Sequence, residues 1–415
     1  MVSNDSSDME FLMNRSRFEY LLDLFKMSKV EVVNMLNKGM KKHLLSVSDL
    51  DAYLNQEKKA KLSLLRKVDK IFNKGVTWYV TQREIPRKKS SSIFFRKDSF
   101  NTPLNFESKK KIAQYEELKF ELETLLKQIN LTQERTIEKV NLSSNPKTIA
   151  KAFREKIDAI ESELIQKKQI AKAHSDREYL QNLIRVFEHL KIFIFEFVDR
   201  GRTRGKEINF NGLFMTPYII VIKRQQKYLR REIFTLIHEF AHFLLDVEEV
   251  DENIESNTLG QQTAIEQWCN EFTYYFLIHT FESEFSVLKK ASSQNNYYKA
   301  EIASLYDKTY LSEFALLTRL KIENKMSAVD YDRIKNEIME AMRKKEKEDK
   351  IKLADEQLLA KEQGKEMFIS GPKAIRSKLF DEIVKINYFS GNIKESQLRE
   401  LLNIKQNKSI EEAIY

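Results

Sequence analysis

The stretch REIFTLIHEFAHFLLD, residues 231–246, constrains the fold and chemistry of this chain more than any other. It contains the pattern HExxH, as His238, Glu239 and His242. Its apolar residues recur at the spacing of one helix face, so the pattern predicts an amphipathic helix. Residues four apart on a helix lie on the same face, one turn apart. The two imidazoles can therefore bind one Zn²⁺, with the carboxylate beside them in reach of a water molecule at the metal.

A hydrolytic zinc site needs a third protein ligand and one open position. An acidic run at 246–256, read as a solvated loop, makes the chain turn, and a second helical pattern follows at 263–279. Glu266 on this second helix is the predicted third ligand, as against an exposed carboxylate at a helix start. Glu271 is the next candidate. Asn270, one turn after Glu266, is predicted to hydrogen-bond a ligand imidazole and fix its orientation.

Composition points to a mainly helical protein of two or three domains. Among 415 residues there are only 9 Gly and 5 Pro, and 32% are charged. The single cysteine, Cys269, excludes an internal disulfide and fits a reducing compartment. The N-terminus lacks the layout of a signal peptide, and no apolar stretch is long enough to cross a bilayer. The sequence therefore predicts a cytoplasmic protein with no membrane partner.

The predicted fold class is α+β and predominantly helical, with a small mixed sheet leading into the HExxH helix. Helical regions flank this core on both sides. The chain divides into an N-terminal helical region, a basic linker with a long helix, a catalytic domain and a helical C-terminal region, at 1–80, 81–140, 141–290 and 291–415.

Short helices are predicted in the N-terminal region. Ser28 and Glu31 have the spacing of a capping box for a helix over 29–37, and Ser48 with Asp51 is predicted to start the next helix. Short helices with lysines between them permit a helix-turn-helix DNA reader. A small bundle is the simpler interpretation, because no helix shows the clustered Arg, Asn or Gln of base recognition.

A basic, aromatic-rich segment follows at 81–111. Basic residues interleaved with phenylalanines can hold nucleic acid. The commoner structure is a surface linker whose phenylalanines dock on a neighbouring part of the chain. The net charge of +9 also permits nucleic acid, so DNA remains an open partner.

Strands are predicted just before the HExxH helix. KIFIFEFV, at 191–198, is rich in Ile and Phe, as strands are. The segment 209–223 is interpreted as a turn at Asn211-Gly212 and then one or two strands. In HExxH proteases an edge strand of the sheet pairs with the substrate backbone. Residues 212–222 are the candidate for that edge, and a purely structural strand is the alternative.

The two motifs resemble those of the ImmA/IrrE family of metallopeptidases. HEFAH is followed by IEQWCNEFTYYFLI, and members of the family carry an FTLxHExxH helix followed by an ExWCNxFA-type or ExEANxFAA-type helix. The basic pair Arg230-Arg231 and the upstream strand ending in VIKRQQ are also similar to that family. The resemblance covers residues 180–280. It departs where the family often has small residues and Met-Pro after the second motif.

The resemblance implies a zincin-like fold and a zinc site with named roles. His238, His242 and Glu266 would be the zinc ligands and Glu239 the general base. It further implies an endopeptidase that cuts a specific regulatory protein, a repressor or an antitoxin, in a stress response or a mobile element.

The alternative is a non-catalytic DNA- or protein-binding transcriptional regulator with a structural metal site. A structural zinc site is normally closed by four protein ligands, and only three are found here, so the enzyme is favoured. An enzyme would also need a donor for the oxyanion. The sequence leaves four candidates open for that role: Arg230, Tyr274, Tyr275 and His279.

Overall fold

A computed structural model describes ten stretches of the chain, at 9–40, 42–83, 104–131, 135–199, 207–224, 228–248, 250–252, 263–363, 374–405 and 407–411. The chain forms two compact units, the first made of Met1–Leu118 with Gly201–Asn209 and the second of Lys119–Arg200 with Phe210–Tyr415. Most described residues are helical and the strands form small sheets, which confirms the predicted α+β class. None of the described helices is both long and apolar enough to cross a membrane. The finer division into four regions stays a prediction.

Short helices make up the first unit. In chain order its elements are β1 (Glu10–Phe11), α1 (Arg15–Phe25), α2 (Lys29–Asn37), α3 (Val47–Leu54), β2 (Ala60–Lys61), α4 (Leu62–Phe72), α5 (Val76–Val80) and the first half of α6 (Phe106–Gln128). Strands β1 and β2 pair antiparallel. Phe25, Phe72 and Phe106 bring three helices together, with ring centroids 5.4 to 6.5 Å apart. The basic segment of 81–111 lies largely outside the described residues.

Two helix starts were predicted in this unit from capping patterns, and the structure confirms one of them. The capping box of Ser28 and Glu31 is confirmed, and α2 has the predicted bounds. The predicted start at Ser48 is wrong. Ser46 caps α3 instead, because its hydroxyl accepts from the Asp49 N–H while the Asp49 carboxylate accepts from the Ser46 N–H. Two overlapping Ser-x-x-Asp patterns compete there, and the earlier one forms the cap.

The second unit contains the mixed sheet and most of the remaining helices. Its elements after α6 are α7 (Pro146–Gln166), α8 (Asp176–His189), β3 (Phe193–Phe197), β4 (Phe210–Met215), β5 (Ile219–Lys223), α9 (Leu229–Leu245), β6 (Val250–Glu252), α10 (Ala264–Ile278), α11 (Glu282–Ser286), α12 (Lys299–Lys308), α13 (Glu313–Ile322), α14 (Ala328–Glu362), α15 (Lys378–Phe389) and α16 (Glu395–Leu401). Two 3₁₀ segments lie at His279–Phe281 and Ser293–Tyr298.

The sheet has the strand order β3-β5-β4-β6. Strand β3 runs parallel to β5, and β4 is antiparallel to both β5 and β6. The predicted strand over 191–198 is confirmed as β3. The predicted edge over 212–222 is wrong, because β4 and β5 each have a neighbour on both sides. The edge strands of the described sheet are β3 and β6.

The predicted turn at Asn211-Gly212 is also wrong. Both residues lie inside β4, where Gly212 pairs with Ile222 of β5. The chain turns after Met215 instead, through a cis peptide bond between Thr216 and Pro217. Glycine inside a strand often marks a close approach of another group. The helix described next supplies that group.

Helix α9 is the most deeply buried element beside the sheet. Its predicted apolar stripe of Ile233, Ile237, Phe240 and Leu244 is fully buried. Asp246 ends the helix in the left-handed conformation, with φ of 57°. Apart from its first turn and Phe234, every described side chain of α9 is buried, so the helix has no broad solvent-facing side.

A group of buried charges connects α9 to the sheet. Arg224, after β5, donates to Glu196 of β3 at 3.2 Å and to Glu232 of α9 at 3.3 Å, and all three side chains are at most 2% exposed. The second oxygen of Glu196 accepts from the backbone N–H of Ile375 at 2.6 Å. One guanidinium faces two carboxylates. Burial, with the charge and hydrogen bond of Glu232, raises the pKa of Glu196 to about 8.

We predict that Glu196 makes folding stability depend on pH. Folding raises the pKa of Glu196 from 4.5 to about 8. The contribution of this residue to the free energy of unfolding is therefore fully present below pH 4.5 and is lost as pH rises towards about 8. The slope is about 1.4 kcal/mol per pH unit for one proton. Urea unfolding across this window should show the wild-type protein losing stability relative to Glu196→Gln, with no further relative loss above about pH 8. Parallel curves for the two proteins would contradict the assignment.

Candidate metal centre

Helix α9 presents both histidines of the HExxH pattern to the same place. His238 and His242 are one turn apart and fully buried. Their Nε2 atoms lie 3.2 Å from each other. Two imidazole nitrogens at this separation can share one ion.

Glu266 completes a triangle with the two imidazoles. Its Oε2 lies 3.3 Å from His238 Nε2, and its Oε1 lies 3.4 Å from His242 Nε2. A tetrahedral zinc ion with ligands at about 2.0–2.2 Å would place neighbouring ligand atoms about 3.3–3.6 Å apart. The observed separations fit one face of such a ligand shell. Among the residues that the structure describes, these three form the cluster of side chains that could hold a metal ion.

The start of α10 delivers Glu266 to this triangle. Thr263 caps the helix, and its hydroxyl accepts the backbone N–H of Glu266 at 3.2 Å. Burial by itself would raise the pKa of Glu266. Hydrogen bonds and charge from His238 and His242 outweigh that effect and hold the pKa of the carboxyl well below its usual range. The residue is therefore ionised, as a carboxylate ligand must be.

Glu239 lies on the side of α9 that faces the sheet. The side chain is fully buried. A Cβ atom placed on Gly212 would come within 2.4 Å of Glu239 Oε1 and 2.8 Å of its Cγ. The carboxylate therefore packs directly on the backbone of β4. Sequence reasoning missed this contact, although the glycine inside a run of β-forming residues was the signal.

The alternative third ligand, Glu271, is engaged elsewhere. Its carboxylate pairs with Arg319, which also donates to the Tyr275 hydroxyl at 2.8 Å. The same guanidinium lies 4.3 Å from the centre of the Tyr274 ring. These two tyrosines, both candidates for oxyanion donors, follow Glu266 by eight and nine residues, or about 12–14 Å along the helix. They belong to a separate cluster around Arg319.

The other two oxyanion candidates also have structural partners. Arg230 donates to Asp176 at 2.9 Å and to backbone carbonyls at the end of α12 and just after it. His279 lies beyond the end of α10, 4.0 Å from Asp158. In the described part of the chain, these contacts hold all four candidates to groups outside the His-His-Glu triangle.

Two further residues of α10 were singled out from the sequence. Asn270 follows Glu266 by one turn and is half-buried, and its contact with a ligand imidazole stays a prediction. Cys269 is fully buried among apolar side chains, as expected of a small core residue.

Comparison with known protein families supports a peptidase domain around this centre. Residues 188–321 match a peptidase family whose domain is described as IrrE N-terminal-like. The match includes the sheet and both helices that carry the triangle. No curated protein and no solved structure matches the chain.

We predict that Glu266 and Glu271 differ sharply in their effect on metal binding. Glu266→Gln removes the charge from the triangle and should lower the affinity for a divalent metal by at least about tenfold. Glu271→Gln, a matched change one turn away, should leave affinity within about twofold. Equilibrium dialysis with a zinc-selective dye would measure both. Equal losses would show that Glu266 has no special role in holding the ion.

Proposed function

We propose, because residues 188–321 belong to the ImmA/IrrE family of metallopeptidases, that this chain is a zinc-dependent endopeptidase. The peptidase class follows from the family. Zinc, cleavage within a chain and the roles of individual residues are our inference. The observation that carries it is the triangle of His238, His242 and Glu266, with ligand atoms 3.2 to 3.4 Å apart.

The donor set supports zinc as the ion. Two imidazoles and one carboxylate are a common ligand set of catalytic zinc, in which a fourth position stays open for water or substrate. All three donors come from rigid helices, so the set is preorganised for one small ion. Bound Zn²⁺ would act as a Lewis acid, polarising a peptide carbonyl and lowering the pKa of water in the open position.

Glu239 is the residue we assign as general base. It directly follows His238 on α9, and its carboxylate is buried against β4. In that role it would take a proton from the attacking water and pass it to the leaving amine. Removal from bulk water strengthens the electrostatic interactions of such a carboxylate with its surroundings. Asn270 is proposed to orient a ligand imidazole from α10.

We further propose that the substrate is a regulatory protein, such as a repressor or an antitoxin. This part of the proposal depends on the family resemblance alone. Cleavage would take place in the cytoplasm, as part of a stress response or the activity of a mobile element.

A second candidate function is a regulator that binds DNA or an acidic protein without cleaving it. The charge distribution favours it, since the first compact unit carries all of the chain's excess positive charge. The two functions differ in whether the bound partner is cut.

We predict that Glu239→Gln keeps the metal and loses hydrolysis. The amide cannot take the proton, so the rate should fall by about 10²- to 10⁴-fold, the range for general-base catalysis. The variant would then serve as a trap for the intact partner in a pull-down from cells. Glu282→Gln is the matched control, because Glu282 pairs with Lys147 and Lys151 on the outside of the second unit.

The captured partner decides between the two functions. Incubation of that partner with wild-type protein should produce a discrete cleavage that a chelator abolishes. Cleavage by Glu239→Gln at the wild-type rate would refute the assigned base. A partner that stays intact with metal-loaded wild-type protein would instead support the non-catalytic regulator.

A further inference from the structure

Gly212 is the place where the sheet touches the proposed catalytic base. An ideal Cβ there would lie 2.4 Å from Glu239 Oε1, 2.8 Å from Glu239 Cγ and 2.6 Å from Thr235 Cγ2. Contacts between real Cβ atoms and other heavy atoms are essentially never below 3.0 Å. Any residue other than glycine at this position must displace the side chains of both Glu239 and Thr235.

The backbone of Gly212 does not by itself require glycine. The described glycines with positive φ are Gly39, Gly75 and Gly391, so Gly212 has a conformation open to other residues. Glycine in the interior of a strand weakens the strand. Glycine here accompanies the shift of register between β4 and β6, and it leaves space for the side chains of Glu239 and Thr235.

Strand β4 is paired on both sides at this point. Gly212 pairs with Ile222 on one side and with Asp251 on the other, and the pairing with β6 shifts register between Phe210 and Gly212. Thr235 and Glu239 lie one turn apart on α9, and both face the glycine. The carboxylate at the end of a flexible side chain is the group that can move most easily.

We propose that Gly212 is a positioning residue for Glu239. By having no side chain, it lets the carboxylate occupy the position against β4 from which it acts on water. The inference depends on the proposed function, in which Glu239 is the base. A methyl group on this residue would push the Glu239 carboxylate away and would also meet Thr235, and neither of these two side chains belongs to the ligand triangle.

A double-mutant cycle between Gly212 and Glu239 tests this. Gly212→Ala in the wild-type background should lower kcat by about 10²-fold, the lower part of the general-base range, with KM and zinc content within about twofold. In the Glu239→Asp background, the shorter side chain leaves room for the methyl, so Gly212→Ala should change kcat by less than about threefold. An equal penalty in both backgrounds would overturn the proposal, since it would mean that the added methyl group acts only on the fold.

Thr235→Ser removes the second contact and provides the folding control. The double variant Gly212→Ala/Thr235→Ser should have a Tm close to that of Thr235→Ser alone. Its kcat should remain as low as that of Gly212→Ala. Recovery of wild-type kcat in this pair would overturn the proposal, because the threonine contact would then account for the defect.

A measurement without substrate separates this inference from the proposed function. The visible absorption of the Co²⁺-substituted protein can be titrated with pH, and its midpoint responds to the carboxylate beside the metal. The midpoint of Gly212→Ala should move towards that of Glu239→Gln, whether or not a peptide is cleaved. A midpoint equal to that of the wild-type protein would overturn the role of Gly212. Absence of cleavage by the wild-type protein, with a shifted midpoint, would count against the proposed peptidase function alone.

Discussion

The burial of two imidazoles and a carboxylate on one enclosed helix is the constraint on which this structure depends. His238, Glu239 and His242 have no exposed surface, although polar groups without partners are costly in a protein interior. Helix α10 gives the two imidazoles a polar partner, because it brings the ionised carboxylate of Glu266 to them. A bound cation would be held by His238, His242 and Glu266. Helices α9 and α10 therefore share polar contacts at the triangle as well as the apolar core.

Both ends of α9 are held by charged or polar contacts. At its start, Glu232 meets Arg224, and the same guanidinium reaches Glu196 on an edge strand. At its end, Arg135 pairs with Asp246 at 3.2 Å, so the last turn is also fixed. A helix held in this way can keep two metal-binding side chains in one geometry, which a functional site requires.

The errors in the sequence interpretation have a common cause. Asn211-Gly212 has the composition of a turn, yet it lies in a strand, because β4 pairs there with β5, and Glu239 packs on Gly212. Residues 212–222 were predicted to be a sheet edge, but the short strand β6 pairs with β4 from beyond the helix. In each case a group distant in sequence decided the outcome. Local composition carries no information about such partners.

By itself, the sequence determined the candidate ligands and the helices that carry them, because these depend on local patterns. The spacing of His238 and His242 on a helix, and the position of Glu266 in the first turn of the next helix, follow from helical periodicity and capping. Tertiary structure alone decided that Glu271 would pair with Arg319, that β4 would lie inside the sheet, and that Gly212 would face the proposed base. Those outcomes depend on which surfaces meet when the sheet and helices pack. Spacing along one helix or strand cannot specify them.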